Sequence, residues 1–322
     1  MKAVRVHTVG GPENLRYDDV TVPSPAPGQL LFRVEAVGVN FIEIYHRTGL
    51  YKVPLPFTLG SEAAGTVEAI GAGVTGWKVG DRVATASAVG AYADRALVIA
   101  DRAVPLPDGV STHLGAAVML QGLTAHYLTH STWPLAPGNV CLVHAAAGGT
   151  GLLICQMAKR LGARVIGTTS TEEKAVLARA AGASDVILYT KTDFVTEVKR
   201  LTGGAGVQVV YDSVGRTTFL PGFGCLAPRG VMVLFGQSSG AVDPIDPQML
   251  NKGGSLFLTR PSLAHYTANR DDLVWRSKDV LGWVADGSLK VTIGAEYPLE
   301  RAADAHRAIE GRATTGKVLL IP

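Results

Sequence analysis

The sequence predicts a two-lobed α/β protein in which a doubly wound, six-stranded parallel sheet is set into an irregular, mostly antiparallel β lobe. Three observations carry this. The chain has 322 residues, beyond the roughly 250 to 300 at which a single hydrophobic core stops growing. From about residue 137 short apolar strands alternate with amphipathic helices, whereas the first 120 or so residues are short β segments broken by Gly and Pro turns. Between the first of the later strands and its helix lies "HAAAGGTG" (144–151), a stretch with almost no side chain.

Composition sets the outer limits. Apolar residues make up 47% of the chain and charged residues 18%, with 38 glycines, a globular and tightly turned composition rather than a disordered one. The formal charge of +3 comes from 30 basic and 27 acidic residues scattered along the sequence. Without a block of like charge there is no grip for nucleic acid or an acidic membrane. "MKAVRVHTVGGPENL" lacks the apolar stretch of a signal peptide. The most apolar run, 140–158, is interrupted by His144, "GGTG" and Gln156, which a bilayer would penalise. A cytoplasmic protein is expected. Cys141, Cys155 and Cys225 are odd in number and dispersed, so they read as reduced and buried rather than as a disulfide framework or a structural zinc site.

Taken in order, the first-lobe strands are "KAVRVH", "LLFRVEAVGVN", "AAGTVEAIG", "DRVATAS" and "YADRALVI", separated by turns such as "SPAPGQ" and "VPLPDG". The parallel strands follow as "VCLVH" (140–144), "RVIGTT" (164–169), "DVILY" (185–189), "VQVVYD" (207–212), "VMVLFG" (231–236) and "SLFLTR" (255–260). The intervening "LLICQMAKRLG", "TEEKAVLARAAG" and "DFVTEVKRLTGG" carry apolar residues at helical spacing. Strands buried on both faces and joined by right-handed helical crossovers make a doubly wound sheet. After residue 260 come a long helix, the strand "KVTIGAEYPL", a second helix and the strand "GKVLLIP", too apolar to stand alone and expected to return to the first lobe. Residues 1–120 with 259–322 are thus read as one domain and 121–258 as the other, with the ligand expected in the cleft between lobes.

Ala146, Gly148 and Gly151 fall on the three positions of the dinucleotide fingerprint GxGxxG, with alanine at the first. A strand before it, a helix after it and a second strand about 20 residues on supply the context that motif requires. A helix N-terminus without side chains presents free N–H groups and a positive dipole end to phosphate oxygens, so the backbone of Ala147, Gly148, Gly149, Thr150 and Gly151 is expected to cradle a pyrophosphate. At the end of the second strand the sequence reads "GTTSTEEK" (167–174), with no carboxylate before Glu172. The hydroxyls of Thr168, Thr169, Ser170 and Thr171 and the charge of Lys174 suit a 2′-phosphate. Two charge-assisted hydrogen bonds at about 1.5 to 3 kcal/mol each would favour NADPH over NADH by on the order of 100-fold.

With "GGPENL", "GVNFIEIYHRTGLY" (38–51), "LGSEAAGTVEAIGAGVTGWKVGDRV" (59–83), "QGLTAHYL" (121–128), "VVYDSVG" (209–215) and "TRPSL" (259–263) beside the glycine motif, the chain resembles the zinc-independent quinone oxidoreductases. These are the zeta-crystallin branch of the medium-chain dehydrogenases. The resemblance covers nearly the whole length and implies a GroES-like first lobe, a Rossmann second lobe and a homodimer. The zinc-bearing members of that superfamily place metal ligands where this chain has Asn40, Ser61 and the Leu120–Gln121 pair. Catalytic zinc needs about three protein ligands, and Glu62 alone does not supply them, so no metal is expected.

The resemblance further assigns Asn40, Phe41, Ile42 and Thr124 to the nicotinamide end of the cofactor. It assigns Tyr45 and Tyr51, with Asn40, to the place where a planar acceptor is reduced, their rings offering a flat, partly polar wall. By the same similarity Tyr189, Ser213, Val214, Phe235, Gly236, Ser238, Arg260 and Arg312 contact the cofactor. His144 reads as a packed core histidine and Glu62 as structural. The activity implied is metal-independent reduction of a quinone by NADPH, which asks for proximity and orientation more than for acid–base groups. Two alternatives remain open: reduction of an activated alkene such as an alkenal or enone, and a structural or RNA-binding protein that holds NADPH without turnover.

Overall fold

The computed structural model describes residues 1–311 and 314–322, and its packing resolves into two units, Met1–Leu123 with Thr267–Pro322, and Thr124–Tyr266. Arg312 lies outside the described residues.

The first unit opens with β1 (Lys2–Val6), β2 (Leu15–Asp19) and β3 (Gln29–Val39), then α1 (Phe41–Arg47) and β4 (Phe57–Thr58). It continues through β5 (Glu62–Ile70), β6 (Arg82–Thr85), β7 (Arg95–Ile99) and β8 (Val104–Pro105) to the long helix α2 (Thr112–Tyr127), which runs on into the second unit. The strand β2, "LRYDD", escapes sequence reading because it has no buried residue and so no apolar alternation.

In the second unit β9 (Val140–Val143), α3 (Gly149–Arg160), β10 (Arg164–Thr169), α4 (Glu172–Ala180), β11 (Asp185–Leu188), α5 (Phe194–Leu201), β12 (Val207–Asp212), β13 (Leu226–Leu234) and β14 (Phe257–Thr259) form a six-stranded sheet of order β11-β10-β9-β12-β13-β14. All five pairings are parallel. Strand order reverses between β9 and β12, so the carboxyl ends there flank the switch point at which such sheets bind ligands. One face is packed by Phe194 and Val198 of α5 with Phe219 and Phe223 over Leu142, Ile166, Val210 and Met232. The three cysteines are free and buried. Among the described residues no helix is long and apolar enough to cross a membrane.

The chain then returns to the first unit with β15 (Ile293–Pro298) and β16 (Lys317–Ile321), giving a seven-stranded sheet of order β15-β16-β3-β5-β6-β8 with β7 also paired to β3. Its pairings are antiparallel except β15 with β16, which the helix Ala302–Glu310 connects as a crossover. The strand β3 is the hub, bonded to β5, β7 and β16 and buried along most of its length.

A buried polar group ties α1 to the returning helix. Arg47, 1% exposed, donates to both carboxylate oxygens of Glu310 at 3.0 and 2.7 Å and to His306 Nδ1 at 3.3 Å. A guanidinium only donates, so Nδ1 must accept, and the ring proton sits on Nε2 facing the Tyr92 hydroxyl at 3.1 Å. Burial, reinforced by the Arg47 charge, holds the His306 pKa down at about 3, and the ring stays neutral at physiological pH.

Gly65 of β5 lies opposite Val34 of β3. A Cβ there would overlap the Arg33 carbonyl oxygen, a backbone atom of the hub strand. Gly65→Ala is therefore expected to lower stability by about 1 to 3 kcal/mol, seen as a lower urea midpoint with an unchanged slope.

Candidate active site

In the first unit the site grows from the end of β3. Gly38 pairs with Glu62 across the ladder, and a Cβ at Gly38 would overlap the Glu62 carboxylate, so only glycine leaves the acid its room. The chain then turns at Asn40, extended at φ −137° and ψ 164°, to begin α1. The Asn40 N–H donates to Glu43 Oε2 at 3.0 Å, the reciprocal half of an N-terminal capping box.

Glu62 is fully buried. Its Oε1 accepts the Leu120 N–H at 2.6 Å, and its Oε2 accepts Asn40 Nδ2 at 2.9 Å and the ammonium of Lys317. Lys317, 1% exposed at the start of β16, also donates to Asn40 Oδ1 at 2.6 Å. The second Asn40 amide hydrogen goes to the Gly38 carbonyl at 3.2 Å. The Asn40 amide is thus engaged within this unit at both its oxygen and its nitrogen.

Glu43 carries the other buried carboxyl, which accepts the Ser61 hydroxyl at 2.9 Å and the Ser61 N–H at 3.3 Å through Oε1. Burial pushes its pKa up to about 7, against the opposing effects of the Ser61 hydrogen bond and the Lys317 charge. Beyond this polar centre α1 and the segment after it present an aromatic set. Tyr45 and Tyr51 meet edge to face at 5.3 Å, Phe41 lies 6.2 Å from Tyr45, and Tyr51 is 38% exposed. Ile42 beside them is half-buried.

A catalytic zinc does not fit this centre. Its polar groups are the amides of Asn40 and Gln121, the Ser61 hydroxyl and two carboxylates, one of them bound to an ammonium, where zinc takes thiolate, imidazole and free carboxylate. No group of three His, Cys, Asp or Glu that would hold a metal ion occurs among the described residues.

In the second unit the turn after β9 forms a distinct feature of its own. Ala145 adopts φ 52°, Gly148 N–H closes on the Ala145 carbonyl at 2.9 Å, and Gly148 is the N-cap of α3 with no side chain on the helix end. The N–H groups of Gly149, Thr150 and Gly151 therefore start the helix uncapped by a side chain. A Cβ on Gly151 would overlap the Ala145 carbonyl, and one on Gly167 of β10 would come 2.8 Å from Ala146. Both glycines let strand, turn and helix close tightly, and the cradle so formed fits a dinucleotide phosphate.

The remaining carboxyl strand ends collect the rest. Thr168 is spent on His144 Nδ1 at 3.0 Å, and Thr171 caps α4 by accepting the Lys174 N–H at 3.3 Å. The Thr169 hydroxyl donates to the Thr171 carbonyl at 3.3 Å, while Glu172 turns to Arg179 at 2.7 Å. Ser170 and Lys174 lie half-buried at the same end. Tyr189, 43% exposed, follows β11, its N–H on the Thr169 carbonyl. After β12 the Asp212 carboxylate gathers the N–H groups of Val214 and Gly215 at 2.7 and 3.0 Å, and the Ser213 carbonyl accepts the Ser238 N–H at 3.2 Å. Phe235 and Gly236 donate to the Asp212 carbonyl, and Arg260 donates to the Leu234 carbonyl at 3.0 Å. Thr124, buried, lies on α2 three residues past Gln121. His144 is 1% exposed and carries a buried ring nitrogen, Nε2, without a hydrogen-bond partner; burial lowers its pKa.

Sequence reading misses Glu43, Lys317 and Gly38. The pattern N-x-x-E at 40–43 is a signal that finds Glu43. Nothing local distinguishes Lys317.

Residues 26–137 match the alcohol dehydrogenase GroES-like domain and residues 149–270 the zinc-binding dehydrogenase domain, which together with the two units define a medium-chain dehydrogenase/reductase. Quinone oxidoreductase 1 of Escherichia coli is 47% identical over 99% of both chains, and the 2-haloacrylate reductase of a Burkholderia species is 44% identical over 99% of this chain and 98% of its own. A mycobacterial protein solved in complex with NADPH superposes with a TM-score of 0.98 at 48% identity, each chain covered in full. The chain belongs to the zeta-crystallin-like quinone oxidoreductases of that superfamily.

The raised pKa of Glu43 has a pH signature. In the folded state the carboxyl holds its proton to about pH 7, whereas an unperturbed glutamate loses it near 4.5, so its contribution is intact below about pH 4.5 and is lost as pH rises through 7. The loss is on the order of 3 kcal/mol. Glu43→Gln is expected to flatten this slope in urea denaturation run from pH 5 to pH 8.

Proposed function

We propose that the protein is an NADPH-dependent quinone reductase that works without a metal. The observation that carries the reading is the uncapped, side-chain-free start of α3 at Gly148, in a chain whose full-length relatives are named quinone oxidoreductases. The mycobacterial structure holding NADPH supports the same cofactor here.

In this reading the pyrophosphate sits on the N–H groups of Gly149, Thr150 and Gly151, and the 2′-phosphate near Ser170 and Lys174. Glu172 is drawn toward Arg179 and so away from that phosphate. Tyr189, Ser213, Val214, Phe235, Gly236, Ser238 and Arg260 line the carboxyl strand ends around the rest of the cofactor. NADPH supplies the hydride; with one proton from water a quinone becomes a hydroquinone. The protein's own part is to hold the acceptor flat against Tyr45 and Tyr51 and to exclude solvent. Asn40 acts through the position it gives α1, because its amide is engaged by Lys317, Glu62 and Gly38.

A second reading, hydride transfer to an activated alkene, draws support from the 2-haloacrylate reductase at 44% identity. The enzyme is further proposed to be a cytoplasmic homodimer. Strand β14 ends the parallel sheet with Phe257 and Leu258 60% and 37% exposed, an apolar edge that a second copy would cover.

Oxidation of NADPH followed at 340 nm with 1,4-benzoquinone, 9,10-phenanthrenequinone and an alkenal in parallel tests the activity. Turnover of the quinones that a chelator leaves unchanged is expected; turnover of the alkenal alone would replace the quinone reading with the second one. Lys174→Ala is expected to weaken NADPH by roughly 10-fold or more while leaving NADH nearly unchanged. Equal affinities before and after would remove Lys174 from the 2′-phosphate site.

A further inference from the structure

We infer that Lys317 is a positioning residue of the metal-free centre: its buried ammonium, held by Glu62, locks the Asn40 amide and through it the start of the helix that carries Phe41, Ile42 and Tyr45. The inference rests on the reading of α1 as the element that meets the reacting groups.

The placement follows from the sheet. Strand β16 runs antiparallel to β3 with Val318 opposite Val39, so the next step along the ladder sets Lys317 against Asn40. A lysine at that one register reaches both Asn40 Oδ1 and the Glu62 carboxylate. Glu62 approaches from the third strand of the set, β5, through the gap left by Gly38. Three segments far apart in sequence thus meet at one amide.

The charges give the amide one orientation. With Oδ1 on the ammonium and Nδ2 on the carboxylate, both contacts are attractive. Turned by 180°, the amide would set its oxygen against a carboxylate and its hydrogens against an ammonium, both repulsive and, at this burial, little screened. The same residue's N–H is held by Glu43. Backbone and side chain of the N-cap are therefore both fixed, and the first turn of α1 inherits that position.

Stability alone does not account for the pair. A buried ion pair is often matched or exceeded by apolar residues of the same shape, whereas removing one partner leaves an uncompensated charge. A pair retained at full burial is better explained by the geometry it imposes, since displacement of a reacting group by about 1 Å costs on the order of 100-fold in rate.

The test uses the full-length protein with Lys317→Ala, the charge-neutral double variant Lys317→Met with Glu62→Gln, and the wild type, on whichever acceptor the wild type reduces. The double variant leaves no unpaired charge and is expected to melt near the wild type. Its kcat is expected to fall about 30- to 100-fold while the dissociation constant for NADPH stays within about threefold. Ethylammonium added to Lys317→Ala is expected to restore part of kcat saturably, and the fluorescence of enzyme-bound NADPH is expected to shift in the double variant, a readout that needs no acceptor. A folded double variant with kcat within twofold of the wild type and unshifted cofactor fluorescence overturns the inference. Failure of the quinone reading is separate: it appears as a wild type inactive on quinones, whatever Lys317 does.

Discussion

The constraint on which the first unit depends is that a carboxylate with no solvent exposure, Glu62, must be matched by a charge. The match comes from Lys317, which the chain delivers only after it has left the first unit, built the second and returned. The closing strand β16 is therefore more than a cover for the hub strand: it brings the counter-ion. Around this pair the polar atoms are satisfied one after another, Asn40 by both partners, Leu120 by the carboxylate, Asn40 again by Glu43, and Glu43 by Ser61. A centre so fully bonded has little conformational freedom, which suits a reaction that depends on placing two planar groups together.

The two units are organised by different physical means. The second acts through backbone: Gly148, Gly151 and Gly167 clear space so that amide hydrogens at a helix start are reachable. The first acts through side chains whose positions are set by buried charge. Backbone donors at a helix end suit a ligand group shared by every dinucleotide, while in the proposed reading the discrimination between two dinucleotides that differ by one phosphate falls to side chains, Ser170 and Lys174.

Legibility in the sequence tracks the distance between interacting residues. The parallel sheet can be read because each strand and crossover helix is local; Thr171, read as a phosphate ligand, instead caps its helix, as Asp193 caps the next. The last parallel strand is shorter than read, Phe257–Thr259, because Ser255 takes φ 57° and Leu256 is turned back onto Leu250. The glycine cradle is equally local. The hydroxyl cluster is only partly legible, since the commitment of Thr168 to His144 is a contact between neighbouring strands that spacing does not reveal. The polar centre is the least legible, because Lys317 lies 255 residues from Glu62 and 277 from Asn40. A lysine opening an apolar strand looks from sequence like a solvated strand end.

That separation has a consequence for how the molecule is made. At roughly 5 to 20 residues per second, a ribosome that has just added Glu62 needs on the order of 10 to 50 s to add the lysine 255 residues later. Throughout that interval the nascent first unit holds an acid whose counter-ion does not yet exist, so the hub strand and β5 cannot settle into their final pairing with the carboxylate ionised and dry. The second unit, whose strands and helices are contiguous in the chain, depends on no partner made so much later. Completion of the first sheet thus waits on the last strand to be made, which brings both the pairing for β3 and the counter-ion for Glu62.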